Sequence, residues 1–181
     1  MKKISNINIK TISLLGILLG LHIVLSSFYI PVFDNSRIMF TFFIKMLVAI
    51  IVGPGYSIIF GFISDIIGHL LLPSGPFFFG YVFTSISSCF IYALCLYNKK
   101  LSYSRLIISK LIVNIFCNVI LNSLWSYILL SKGYIYYLVQ SIIKNILLFP
   151  FDILIIVLLF KLLLPVMNKY KITNQKEIKI I

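Results

Sequence analysis

Between Lys110 and Ser126 a polar residue returns at every fourth position of an otherwise oily sequence. Lys110, Asn114, Asn118, Asn122 and Ser126 are separated mainly by Leu, Ile, Val and Phe, with Trp125 beside the last of them. A helix turns 100° per residue, so each step of four drifts by about 40° and the five residues trace a slow spiral. An asparagine facing lipid tails would leave its amide without partners, at about 2–7 kcal/mol each. The stripe must therefore face other helices or a cavity. It either bridges neighbours in a bundle or lines a site for a polar ligand.

Composition says what surrounds it. Of 181 residues, 61% are hydrophobic and 11% charged, and the mean hydropathy is +1.09. A soluble domain carries about 25% charged residues, so this reads as an integral membrane protein. A span needs about 20 apolar residues, and the length allows about six spans with no separate soluble domain. No phosphate-binding loop is present, so any driving energy comes from a partner or a gradient. The net charge of +12 would suggest nucleic acid in a soluble protein. Here it gathers at the ends and in one loop, where it reads as topology and lipid contact instead. Cys89, Cys95 and Cys117 all lie in apolar segments without metal-ligand spacing and read as buried thiols.

The pattern predicts an all-α membrane protein, six transmembrane helices in a compact bundle. Residues 1–10 form a basic N-terminus, 11–165 the helical domain and 166–181 a basic tail. Helix one covers about 11–29 and is ended by Pro31, Asp34 and Asn35. Helix two begins near Arg37 and stops at Gly53-Pro54-Gly55, and helix three continues to about Leu72. Pro73–Pro76 makes a loop, helix four reaches Tyr97, helix five ends near Leu130, and helix six spans about 137–164 with Pro150 inside and Pro165 closing it. The terminal segments and the Lys99–Arg105 loop are basic, whereas the opposite loops carry only Arg37 and Lys132, which predicts cytoplasmic termini.

Counting back from the predicted outer ends puts His22, Lys45, Asp65, Asn122, Trp125 and Lys144 roughly 8–14 Å below the outer surface, on five helices. A charged side chain inside a membrane costs at least about 2.5–3.5 kcal/mol and needs a partner or water. Several at one depth imply a polar cavity open to the outside. One reading pairs Asp65 with Lys45 or Lys144 in a structural ion pair. The two lysines outnumber the carboxylate, and Arg37 stands at the rim, so the cavity suits a ligand with a carboxylate. His22 and His69 read as satisfied interior histidines, with contact to a ligand as the alternative, Lys110 and Lys161 as snorkelling to the inner surface, and Asp152 has no assigned partner. No nucleophile–base pair or metal cluster suggests an enzyme or a cofactor. Gly16 and Gly20 form a small-xxx-small pair on helix one, for internal packing or for another subunit.

The runs R-I-M-F-T-F-F, G-P-G-Y-S-I-I-F-G-F-I-S-D-I-I-G, L-L-P-S-G-P-F-F-F-G-Y, V-N-I-F-C-N-V-I-L-N-S-L-W and K-N-I-L-L-F-P, spread over about residues 11–165, resemble substrate-binding subunits of energy-coupling-factor (ECF) vitamin transporters, most closely the folate type. The resemblance implies a six-helix subunit that captures a vitamin at its outer face. It also implies association with a transmembrane coupling protein and two ATPases, then toppling in the membrane to release the vitamin inside. It assigns Gly16 and Gly20 to the coupling-protein contact and makes Pro73–Gly80 the main gate. For folate it places Asp65, Asn122 and Trp125 near the heterocycle, with Asn118 in a secondary role, and Arg37 and Lys144 near carboxylate. One departure stands out. Where an arginine is expected three residues before the helix-six lysine, this chain has Ser141, with Gln140 beside it. Glutamine cannot replace a bidentate guanidinium, which leaves a related vitamin as an alternative ligand. An autonomous small carrier using Asp65 and His69 as a proton relay is the rival reading of the same residues.

Overall fold

The computed structural model describes residues 9–33, 36–73, 77–99, 101–130 and 133–169. The basic N-terminus (1–8), residues 74–76 of the expected gate, Lys100, Lys132 and the tail from 170 onward lie outside the described residues.

The elements in order are α1 (Ile9–Ser27), β1 (Tyr29–Phe33), β2 (Ser36–Met39), α2 (Phe42–Leu71), α3 (Phe79–Leu96), α4 (Tyr103–Val113), a π-helical stretch (Asn114–Leu121), α5 (Asn122–Leu130) and α6 (Tyr134–Lys169). Helices dominate, as the composition requires. Phe42–Leu71, Phe79–Leu96, Tyr103–Leu130 and Tyr134–Leu163 are each long and apolar enough to cross a membrane, and Thr11–Ser27 is a shorter apolar helix. In a bilayer every backbone amide must be satisfied within the protein, and a helix does this alone.

α2 is two arms. Gly53, with φ 77° and ψ −177°, breaks it, in a region that only glycine adopts without strain. A Cβ there would also lie 2.8 Å from the Tyr97 ring. The chain reverses at this point. In one straight helix Lys45 and Gly61 would be about 24 Å apart. Yet Lys45 Nζ lies 2.9 Å from Ser85 Oγ, and a Cβ on Gly61 would fall 3.0 Å from the Ser85 carbonyl oxygen. The two arms therefore run side by side against α3, and the break falls at the Gly-Pro-Gly signal read from the sequence.

The first arm is the centre of the bundle. Ile44, Met46, Val48 and Ala49 are fully buried, and Phe43 packs edge-to-face on Phe160 of α6 with centroids 5.5 Å apart. A helix that is apolar all round belongs in the interior. α6 is the opposite case, with Ile135, Ile146, Leu147, Phe151, Leu154 and Leu162 exposed along a face suited to lipid.

Three expectations are corrected. The segment after helix one is an antiparallel hairpin, pairing Tyr29 with Met39, Ile30 with Ile38 and Pro31 with Arg37, and irregular between Pro31 and Phe33. α2 consequently starts at Phe42 and not near Arg37. Its first arm is only about 16 Å long, because the residues before it are spent in the hairpin. α6 runs past Pro165 to Lys169. A proline inside a helix forfeits one hydrogen bond, which membrane helices tolerate when neighbouring groups satisfy the freed carbonyl.

Candidate binding cavity

Helix ends converge on a polar cavity with two chambers. The outer chamber, about 370 Å³, lies towards the hairpin and the connections that follow α2 and α5. It is lined by His22, Tyr29, Ser64, His69, Leu130, Tyr137, Gln140 and Ser141 among others. The inner chamber, about 250 Å³, continues down to Tyr92, Lys110, Asn145 and Asp152. Met39, Thr41, Lys45, Asp65, Tyr81, Asn122 and Lys144 line both. Along α6 the lining runs from Tyr137 to Asp152, a rise of about 22 Å. The cavity is thus elongated, and Lys45, Asp65 and Lys144 line its waist, where the two chambers join.

The polar stripe turns inward. Lys110, Asn118, Asn122 and Ser126 all line the cavity. Asn114 is buried and accepts a hydrogen bond from Asn118 Nδ2 at 2.8 Å. The stripe holds its direction because Asn114–Leu121 is a π-helix. A π turn contains more residues than an α turn, so a four-residue step under-rotates there and offsets the over-rotation of the α segments. The π-helix is not legible in a four-residue spacing by itself.

Of the residues expected at the site, Asp65, Asn118, Asn122 and Lys144 are cavity-lining. Trp125 is one side chain removed. Its Nε1–H donates to Thr84 Oγ1 at 2.9 Å, its ring stands 5.7 Å from Phe78, and Thr84 itself lines the inner chamber. Gly80 makes this packing possible, since a Cβ there would sit 2.6 Å from Trp125 Cδ2. Arg37 belongs to β2, and its side chain lies outside the described residues. Gly16 and Gly20 are exposed on α1, with nothing within 4 Å of an added Cβ.

The expected snorkelling of Lys110 is overturned. Lys110 is 4% exposed, forms an ion pair with Asp152 at 3.2 Å, and lies 3.5 Å from the centroid of the Phe42 ring. Its position on α4 points it at the bundle interior, and the carboxylate that lacked a partner in the sequence is the reason it stays there. This pair closes the cavity floor. With those two charges neutralising each other, Asp65 is the carboxylate that remains among the described lining residues beside Lys45 and Lys144, which keeps the cationic surplus. Lys45 donates to Ser85 Oγ and lies 3.4 Å from Ser88 Oγ.

Sequence reading missed most of the α3 wall. Beside Tyr81, an aromatic already legible as a stacking surface, Thr84, Ser85, Ser88 and Tyr92 line the inner chamber, and the steps of four, three and four through 81, 85, 88 and 92 carry the same signal as the asparagine stripe. Hydroxyls are mild enough in hydropathy to pass as membrane filler. His22 was expected to be satisfied, but neither of its ring nitrogens has a partner among the described residues. Ser141 is buried, 3.0 Å from Ser123 Oγ, and its carbonyl accepts from Asn145 Nδ2 at 2.8 Å. It is therefore part of the α5–α6 seam as well as of the chamber wall.

A sequence model of the family described as "ECF transporter, substrate-specific component" matches residues 10–160. The chain belongs to this family. As a substrate-specific component it is a transporter part and not an enzyme, and its apolar helices make it a multi-pass membrane protein. Two curated relatives are folate transporters FolT. That of Clostridium novyi (strain NT) is 30% identical over 135 residues, 74% of this chain and 78% of its own. That of Leuconostoc mesenteroides subsp. mesenteroides is 30% identical over 146 residues, 77% of this chain and 78% of its own. A crystal structure of FolT bound with folic acid superposes with a TM-score of 0.75 at 28% identity, covering 81% of this chain and 90% of that one. The substrate-specific component described here thus shares both sequence and fold with proteins of that name.

Proposed function

We propose that this substrate-specific component captures folate in the two-chambered cavity and delivers it through an ATP-driven ECF importer. The observation that carries the reading is the likeness to folate-bound FolT over 81% of the chain, and the cavity chemistry supports it. An elongated ligand with an aromatic heterocycle at one end and carboxylates at the other suits a long cavity with amides deep and cations at the waist. Asp65, Asn118 and Asn122 would hydrogen-bond the heterocycle, with Trp125 backing that wall through Thr84. Lys144 and Arg37 would meet carboxylate. With Ser141 in place of an arginine, a related vitamin is the alternative.

In this reading α2 contributes two of six membrane segments, both termini are cytoplasmic, and the loop 73–80 gates the cavity. Gly16 and Gly20 present a bare strip of α1 to a transmembrane coupling protein, which couples to two ATPases. Reconstitution separates this from the carrier reading. Proteoliposomes with the chain, a coupling protein and the ATPases should take up folate only with ATP. Uptake by the chain alone, driven by a proton gradient, would establish the carrier.

A further inference from the structure

His22 is 6% exposed, yet neither Nδ1 nor Nε2 has a hydrogen-bond partner among the described residues. Its ring packs edge-on against Phe60, with centroids 6.0 Å apart. The side chain lines the outer chamber but not the inner one. Tyr137, 3% exposed, lines the same chamber and its hydroxyl is also without a partner. Buried polar groups are almost always paired, and leaving one unpaired is unfavourable. An imidazole always carries at least one N–H donor. Both side chains border the same chamber, so a ligand bound there can supply the missing partner.

We propose that His22 hydrogen-bonds the anionic, carboxylate-bearing end of the bound ligand, and is a specificity-determining residue supplied by α1. The inference rests on the folate reading. Among the described residues the outer chamber brings Lys45, Lys144 and His69 together with Asp65 as the one lining carboxylate, and an N–H donor among surplus cations favours a carboxylate oxygen over a further donor. Gly20 and Gly16, two and six residues earlier, are exposed, so α1 meets the ligand with one face while the other stays open.

The test compares wild type, His22→Phe and His22→Gln. Each is titrated with folate and with pteroate, which keeps the pteridine and benzoate but lacks the glutamate, and the melting temperature of each empty protein is recorded. His22→Phe should weaken folate by about fivefold or more and pteroate by less, while His22→Gln retains most of the affinity. Empty His22→Phe should melt no lower than wild type, because the ring still packs on Phe60 and an unpaired buried group is gone. Unchanged folate affinity, equal losses for both ligands, or a loss accompanied by a lower melting temperature overturns the inference. Should His22→Phe fail to fold, His22→Leu is read in the same way, and failure of both overturns it by showing a structural role. A wild type that binds pteroate but no folate overturns the inference and the folate assignment together.

Discussion

Removing one member of the Lys110–Asp152 pair exposes how the cavity floor is held. The two side chains are 3.2 Å apart and 5% and 12% exposed, so both charges are largely withdrawn from water. Removing one partner of such a buried pair typically costs about 3–5 kcal/mol, because the other charge is left stranded. Lys110→Met leaves the Asp152 carboxylate alone and also removes the cation above Phe42, a contact worth about 0.5–2 kcal/mol. Asp152→Leu leaves the ammonium alone. Replacing both with apolar residues should recover most of the loss, since burying two charges is itself unfavourable and the pair roughly breaks even against well-packed hydrophobes. The assay is a double-mutant cycle on thermal or denaturant stability of the purified protein in one detergent. The expected coupling is about 2 kcal/mol or more. Single substitutions that each cost under about 1 kcal/mol, or that simply add in the double mutant, would show that the pair is solvated and the floor open.

Other consequences follow from single positions. Lys144→Ala should weaken folate binding by well over about tenfold by deleting a cation at the waist of the cavity, measured by equilibrium titration; unchanged affinity would remove Lys144 from the site. Gly53→Ala should destabilise the protein by about 2 kcal/mol or more, from a backbone conformation closed to alanine and a Cβ driven onto Tyr97, and Tyr97→Leu in the same background should return part of that by clearing the overlap. Gly16→Leu with Gly20→Leu should leave melting temperature and folate affinity as they are and abolish ATP-driven uptake in the reconstituted complex. A drop in stability would instead show that this strip packs within the chain.

Much of this was legible in the sequence because lipid leaves so few choices. A polar side chain at every fourth position of an oily helix has to face inward, and Asn118, Asn122 and Ser126 do. Gly53-Pro54-Gly55 breaks α2 where a turn was read. The hairpin was missed although its signals were present. Asp34-Asn35 sits between two short runs that carry aromatic and branched residues, but the first run reads as the end of helix one and the second as the start of helix two. The Lys110–Asp152 pair was not legible because the partners are 42 positions apart on different helices. Their juxtaposition depends on how α4 and α6 pack, which periodicity within one helix does not report. Trp125 was placed by depth and by the family resemblance, and depth does not distinguish the cavity wall from the layer behind it, where Thr84 and Phe78 hold its ring.

The central claim is that this cavity binds folate, and calorimetric titration of the purified chain tests it most directly. Saturable binding of one folate per chain with a dissociation constant of about micromolar or tighter, weakened in Lys144→Ala, is the result predicted. No heat and no retention of labelled folate by a protein that is folded and monodisperse would contradict it.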